Sequence, residues 1–542
     1  MAAQQPLSVQ QNLTIRLLRV LRYNKARIER ALTLMPEKHR PLFHVLPFLV
    51  HVNHEALPGY VAPLTSGETV PFGINNYSFR PDVEQALQRC FPAQSHLFSD
   101  IKQIWPRQRA VDALVLMGSV GTIAQTDDSD FDFWVCIDGK RFSTTELTLL
   151  QQKLTAIEKW ADNTFGIEVH FFLSEIDKVK QNDFGVAEGE SAGSAQALFL
   201  KAEFYNTNIV VAGKAPFWWL TPEKTTEKQY QAIYNSLEKG GSPDVDWFMD
   251  LGHLERLDAS ELFGAAIWQL GKAMDSPFKS VLKMAKLEVY LANISHGQPL
   301  CNLLKKHVHR GAEAPGHVAD IDPYALMFDE LIAHYKANGQ AEDIAVLQQC
   351  LYLKCGCTLS HPLVEGEQAN FKRKIMASYA KQWGWSRKLL AHLDNQQDWT
   401  FNERVQLSRR IHRFLLKCYR RISKEISHHQ QVMDQKDMTV LGRRLSTYYA
   451  KKPDKIEFLR RAFDESLYCE KITIAMRQLK NGDEVWSAYA GDLLSKSGII
   501  DDSQKVTQAT SAIALMVWLV SSKIIDTNSK VYLDYNYGEV SE

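Results

Sequence analysis

The stretch from Leu114 to Ile137, LVLMGSVGTIAQTDDSDFDFWVCI, constrains the fold of this chain more than any other. The unbroken apolar run Leu114-Val115-Leu116-Met117 reads as a buried strand. Gly118-Ser119 and a polar loop containing Gly121 follow, and a second strand then carries Asp130 and Asp132. Side chains alternate along a strand, so Asp130, Asp132 and Trp134 point one way and Phe131, Phe133 and Val135 the other. Two carboxylates two residues apart on one face repel each other. A cation between them relieves that repulsion, and hard oxygen donors suit Mg²⁺. The plainer alternative is the solvated face of an edge strand; the preceding Gly-Ser turn and the bulky apolar flanks argue against it.

A third carboxylate is expected from a neighbouring strand, and Glu168 in Gly166-Ile-Glu-Val-His-Phe-Phe-Leu173 is the candidate. A charge inside an apolar run needs a reason, although an exposed Glu on a half-buried strand is the alternative. Between the two segments, Ser143-Thr-Thr-Glu146 has the spacing of a capping box. It opens a helix whose inner side carries Leu147, Leu150, Leu154, Ile157 and Trp160. The order is therefore strand, turn, Asp strand, helix, Glu strand.

At 542 residues the chain exceeds one ordinary domain, and two to four are expected. Basic and acidic residues balance at 63 each, which argues against an extended nucleic-acid surface but not against a local basic pocket. The eight cysteines are scattered, with Cys355-Gly-Cys357 too close for a usual zinc pair, so free thiols in a reducing cytosol are expected. The first residues, MAAQQPLSVQQNL, lack the basic and apolar regions of a secretory signal. The apolar run near Ala512 to Val520 is too short to span a bilayer and reads as a buried helix.

In chain order, residues 9 to 35 read as one helix, with Leu13, Leu17, Leu18, Leu21, Ile28 and Leu32 as its apolar stripe and its arginines on a solvated face. The proline- and glycine-rich segment 42–79 reads as irregular and lid-like, and 82–104 as a helix. His51, Asn53 and His54 read as core or capping residues. The small-residue loop 185–196 either approaches phosphate or is flexible. Strand Asn208–Ala212 ends in Gly213-Lys214, where the lysine is either a phosphate contact or a turn residue. From about Ser242 the pattern turns helical. Pro277 stands at a first helical position, and Lys279 and Lys283 share one face four residues apart, either at a phosphate near the helix start or on the surface. The basic helix around Arg404–Lys424 reads as a solvated or ion-paired face, 428–440 as a linker, and 441–542 as mixed α/β.

With these pieces in place, the chain resembles the class I adenylate cyclases of enteric and related bacteria. Gly118-Ser119 followed by Asp130-x-Asp132 is similar to the motif of the DNA polymerase β-like nucleotidyltransferases. The segments EFYNTNIVVAGKAPFWW and LFGAAIWQLGKAMDSPFKSVLK narrow the resemblance to the cyclases. It implies an α+β chain: an N-terminal helix and lid over 1–80, a nucleotidyltransferase palm with a mixed sheet over 81–240, a helical domain over 241–427, and a smaller α/β region over 441–542. It implies cyclisation of ATP to cyclic AMP and pyrophosphate in the cytoplasm. Asp130, Asp132 and Glu168 would hold two Mg²⁺ ions, with Mn²⁺ as the alternative. Gly118 and Ser119 would grip the triphosphate; Lys214, Lys279 and Lys283 would neutralise phosphate charge. A regulatory protein of the sugar phosphotransferase system is the implied partner. Family members usually extend further, so a truncated or short member is expected. Two rivals remain: a nucleotidyltransferase acting on a separate acceptor, and a non-catalytic nucleotide sensor.

Overall fold

The structure is a computed structural model that describes residues 9–65, 67–184, 197–257, 259–273, 276–294, 299–310, 321–363, 369–428, 468–478, 482–492 and 504–534. The loop 185–196 and the 429–440 linker lie outside the described residues. The chain forms two compact units. The first comprises Met1–Ala265, Tyr290–Leu331 and Leu363–Tyr379, and the second Ala266–Val289, Ile332–Pro362 and Ala380–Glu542.

The first unit opens with α1 (Val9–Leu34) and α2 (Arg40–His51), followed by α3 (Pro81–Cys90) and the short α4 (Ser95–Ser99). Strands β1 (Val111–Met117) and β2 (Phe131–Ile137) pair antiparallel, and α5 (Thr144–Phe165) returns the chain to β3 (Val169–Glu175), parallel to β2. A parallel neighbour requires such a crossover. The Ser143–Glu146 capping box is present, and Gly166 closes the helix in the left-handed region at φ +65°. After α6 (Ile176–Lys180) and α7 (Ala197–Thr207), β4 (Ile209–Gly213) adds to the free side of β1 and runs antiparallel to it. The sheet order is β3-β2-β1-β4, a mixed sheet as expected. Further on come the two-residue strand β5 (Ala215–Pro216), α8 (Glu227–Glu238) and β6 (Phe248–Met249), which pairs with β5.

The central strands are buried on both faces, which is why they read as continuous apolar runs. Leu114, Leu116, Phe131, Phe133 and Val135 pack with Val45 and Leu49 of α2 and Leu150, Leu154 and Ile157 of α5. On the other face, Ala113, Val115, Trp134 and Cys136 pack with Leu13, Leu17, Val20 and Tyr23 of α1 and Phe204 and Tyr205 of α7.

Four expectations are corrected here. Segment 42–79 is not irregular throughout: residues 40–51 are helical despite Pro47, almost all of them buried, and Leu57, Val70 and Ile74 join the same core. Residues 82–104 are not one helix, because α3 stops before Phe91-Pro92. On α1 the buried face is Leu13, Leu17, Val20, Tyr23, Arg27 and Arg30, while Leu18 and Leu21 are 52% and 44% exposed. Two arginines expected in solvent are therefore inside. His51 is a core residue as expected, its Nδ1 accepting the Ile74 N–H at 2.8 Å.

Helices α9 (Ala259–Lys272), α10 (Pro277–Ala292), α11 (Leu300–Arg310), α12 (Pro323–Ala337), α13 (Ala341–Cys355), α14 (Phe371–Gln382), α15 (Arg387–Asp394) and α16 (Phe401–His428) make up the helical part of the chain. Pro277 opens α10, as the sequence suggested. In the second unit the basic α16 is ion-paired: Arg421 Nε lies 2.5 Å from Glu288 Oε1, and Lys417 and Arg421 both reach Asp343. The C-terminal region is a sheet of β7 (Lys471–Gln478), β8 (Glu484–Ala490), β9 (Lys505–Ala509) and β10 (Lys530–Asp534), ordered β10-β7-β8-β9, with helix α17 (Ala512–Ser521). The fourth correction falls on α17, which buries Leu515 and Leu519 but exposes Ile513, Val517 and Val520. Among the described residues no helix is long and apolar enough to cross a membrane.

Candidate active site

The polypeptide leaves β1 through Gly118, whose φ of +104° few side chains tolerate. The loop that follows is pinned from outside. Gly118 N–H donates to Thr207 Oγ1 at 3.1 Å, Gly121 N–H to Gln125 Oε1 at 2.7 Å and Ile123 N–H to Asp322 Oδ2 at 3.0 Å. Thr122 N–H and Gln125 N–H bond the carbonyls of Ser119 and Thr122, and Ala124 N–H bonds Thr122 Oγ1. The N–H groups of Ser119 and Val120 donate to no acceptor among the described residues, although both residues are buried. Buried backbone donors are nearly always paired, and two adjacent ones in a glycine-bearing loop form a concavity suited to an anion. The Ser119 hydroxyl lies 3.1 Å from that of Ser129, which ties the loop to the segment entering β2.

Asp130 is exposed just ahead of β2, and Asp132 is half-buried within it. Asp132 faces Met117 in the β1 register, and its Oδ2 would stand 3.8 Å from a Cβ on residue 118. The Gly-Ser turn and the Asp pair, eleven residues and more apart in sequence, thus meet at one end of the sheet. Across β2 and β3, Asp132 is the register partner of His170. Glu168 precedes β3 and receives the Phe131 N–H on its carbonyl at 3.0 Å, which places it beside Asp130. Its side chain is 71% exposed and lies 3.7 Å from His170 Nε2. The buried charge that singled out Glu168 in the sequence is therefore a solvated one. Among the described residues no group of three His, Cys, Asp or Glu side chains is gathered closely enough to hold a metal ion. The donor chemistry of Asp130 and Asp132 fits a hard divalent cation; the third carboxylate is adjacent but turned to His170.

Lys214 does not belong to this end. Because β4 runs antiparallel to β1, Gly213 pairs with Ala113 at the start of β1, the far end from Gly118. There Lys214 forms an ion pair with the buried Asp112, Nζ to Oδ1 2.9 Å, and its N–H bonds the Asp112 carbonyl. The proposed phosphate contact is corrected to a structural pair. Lys279 and Lys283 are half-buried on α10 in the second unit, four residues apart on one face as expected. A cavity of about 590 Å³ flanks β4 between Tyr23, Asn24, Tyr77, Trp219 and Trp247, but neither Gly118 nor Asp132 lines it.

Sequence reasoning missed the residues that hold the loop. Arg27, fully buried, donates to the carbonyls of Gly121 (2.8 Å), Val120 (3.0 Å) and Thr207 (3.0 Å) and to Tyr23 Oη (3.1 Å). Asp322, also buried, accepts the Tyr324 and Ala325 N–H groups besides that of Ile123. Burial pushes its carboxyl pKa up, against the Ala325 and Ile123 N–H groups and the charges of Arg30 and Arg27, which oppose the shift. A signal for Arg27 was present: it continues the 13, 17, 20, 23 stripe of α1.

Comparison with known proteins finds relatives of the chain in one family. Residues 12–219 match a family model described as the adenylate cyclase N-terminal domain, and residues 257–460 match that of the second domain of class I adenylate cyclases. An adenylate cyclase of Proteus mirabilis is 31% identical over 440 residues, which cover 80% of this chain and 49% of that protein. Those of Yersinia intermedia and Escherichia coli K12 are each 30% identical, over 83% and 80% of this chain and about half of their own lengths. The chain spans about half the length of the curated relatives it matches. No solved structure matches.

Proposed function

The chain belongs to the class I adenylate cyclase family, and from that premise we propose that it converts ATP into 3′,5′-cyclic AMP and pyrophosphate. The observation that carries the reading is the meeting, at one end of β1 and β2, of the Asp132 carboxylate with the Ser119 and Val120 N–H groups, which donate to no acceptor among the described residues. An anion cradle beside a hard-oxygen donor pair is what a nucleoside triphosphate with its metal requires.

In the proposed reaction the ribose 3′-oxygen attacks the α-phosphorus of the same ATP. The bond from the α-phosphorus to the bridging oxygen breaks, pyrophosphate leaves and the 3′-hydroxyl proton is released. Ser119 N–H, Val120 N–H and the Ser119 hydroxyl would grip the non-bridging oxygens of the β- and γ-phosphates and so fix the α-phosphorus against the sugar. Asp130 and Asp132 would hold a divalent cation, Mg²⁺ with Mn²⁺ as the alternative. Once bound, that cation would supply Lewis-acid stabilisation of the phosphoryl charge. Glu168, beside Asp130 and open to solvent, would take the hydroxyl proton, or join the donor set after turning from His170. Because both reactants lie in one molecule, the residues act mainly by orientation.

A direct test uses 3′-deoxy-ATP, which keeps the base and triphosphate but lacks the nucleophile. It should compete with ATP and yield no cyclic product; if it fails to compete, the assignment of this end of the sheet to the nucleotide is contradicted.

A further inference from the structure

We propose that Arg27 is the positioning residue of the Gly118–Gln125 loop: its buried guanidinium holds the loop's outer carbonyls so that the Ser119 and Val120 N–H groups stay aimed at the phosphates. The inference rests on the reading of this loop as the triphosphate cradle. A fully buried arginine is costly, and an apolar residue in its place would commonly stabilise a core. The Arg27 guanidinium sits among carbonyls, with its fork divided over Val120, Gly121 and Thr207. Thr207 is also the residue whose hydroxyl accepts the Gly118 N–H. One guanidinium therefore fixes the loop at its root and at its apex.

The consequence for the free donors follows from peptide planarity. The Ser119 carbonyl turns inward, accepting Thr122 N–H at 3.1 Å and Thr122 Oγ1 at 2.6 Å. Carbonyl and N–H point oppositely across a trans peptide, so the Val120 N–H of that plane points outward. The next plane is held by Arg27 on the Val120 carbonyl and by Gln125 Oε1 on the Gly121 N–H. Gly121 permits the approach, since a Cβ there would lie 2.7 Å from the Arg27 carbonyl. Arg30 extends the same helix face by donating to the Ile321 carbonyl at 2.8 Å, next to Asp322, which takes Ile123 N–H from the other side of the loop.

The test compares wild type with Arg27→Lys, whose single ammonium cannot span the three carbonyls as a planar fork does. Arg27→Gln serves as the second variant if Arg27→Lys does not fold. We expect a folded protein whose kcat/KM for ATP falls ~10–100-fold, chiefly through KM. Amide exchange should rise across residues 118–125 while Phe133–Cys136 stay protected. In Arg27→Ala, millimolar methylguanidinium should recover part of both readouts. Wild-type kcat/KM in a folded Arg27 variant, or unchanged exchange in the loop, overturns the proposal. If wild type forms no cyclic AMP, the cyclase reading falls alone. Affinity for inorganic tripolyphosphate then decides: weakening of ~10-fold or more in the variant supports positioning by Arg27, and equal affinity overturns it. A wild-type protein that binds no tripolyphosphate overturns both.

Discussion

The carboxylate of Asp132 lies against the backbone of Gly118, with Oδ2 3.8 Å from where a Cβ on that residue would stand. The strand carrying the acid and the turn leaving β1 therefore meet at one end of the sheet. Asp130→Asn and Asp132→Asn should each reduce turnover by at least ~100-fold. Their melting temperatures should stay close to wild type, because Asp130 is exposed and Asp132 only half-buried. Steady-state kinetics beside a thermal melt check this; near-normal kcat in either folded variant removes the assignment.

Gly118→Ala tests the turn itself. Alanine at φ +104° is strained and brings a methyl group to the Asp132 carboxylate. Affinity for ATP should weaken by ~10-fold or more, with stability lowered by about 1–2 kcal/mol. Isothermal titration and urea unfolding separate the two effects.

The lysines divide in a way the sequence could not show. Lys214→Ala leaves Asp112 buried without its cation, so it should cost about 1–3 kcal/mol of stability while kcat/KM stays within ~2-fold of wild type. A Lys214→Ala enzyme that folds well and binds ATP poorly would return Lys214 to the site.

A pH experiment follows from the buried amines. Burial takes Lys153 down to about 7, and its Nζ is held by the carbonyls of Val52 (2.6 Å) and Gly59 (3.1 Å). Its folded pKa lies below the unfolded value of about 10.4. Between these pH values the unfolded chain binds a proton the folded one does not, so stability rises with pH through this window and falls toward pH 7. Lys305, at about 7, and Lys201, at about 8, act with the same sign. Lys153→Met should lose more stability than it gains. It should also shrink the gain between pH 7 and 9 by on the order of 2 kcal/mol; an unchanged gain in urea unfolding would contradict the burial argument.

The central strands β1 and β2 were legible because both of their faces are buried and each writes a nearly continuous apolar run, and α5 because Ser143, Glu146 and Gly166 mark its ends. Gly118 and Asp132 were legible as types, and their meeting required only the antiparallel pairing of β1 with β2. Lys214 misled because sequence gives the end of a strand but not which end of the sheet it reaches. Glu168 misled because an apolar neighbourhood in sequence is not burial in space. Arg27 was overlooked because an arginine among arginines on a helix reads as solvent-facing, and its reason for burial, the carbonyls of Val120, Gly121 and Thr207, comes from segments more than ninety residues away.

If the end of the sheet holding Gly118, Ser119, Asp130 and Asp132 cyclises ATP, the products formed without any acceptor will show it. Purified protein incubated with ATP and Mg²⁺ alone should give cyclic AMP and pyrophosphate in equal amounts by chromatography, with no acceptor required. Attachment of AMP to protein or to an added acceptor, with no cyclic AMP formed, would contradict it.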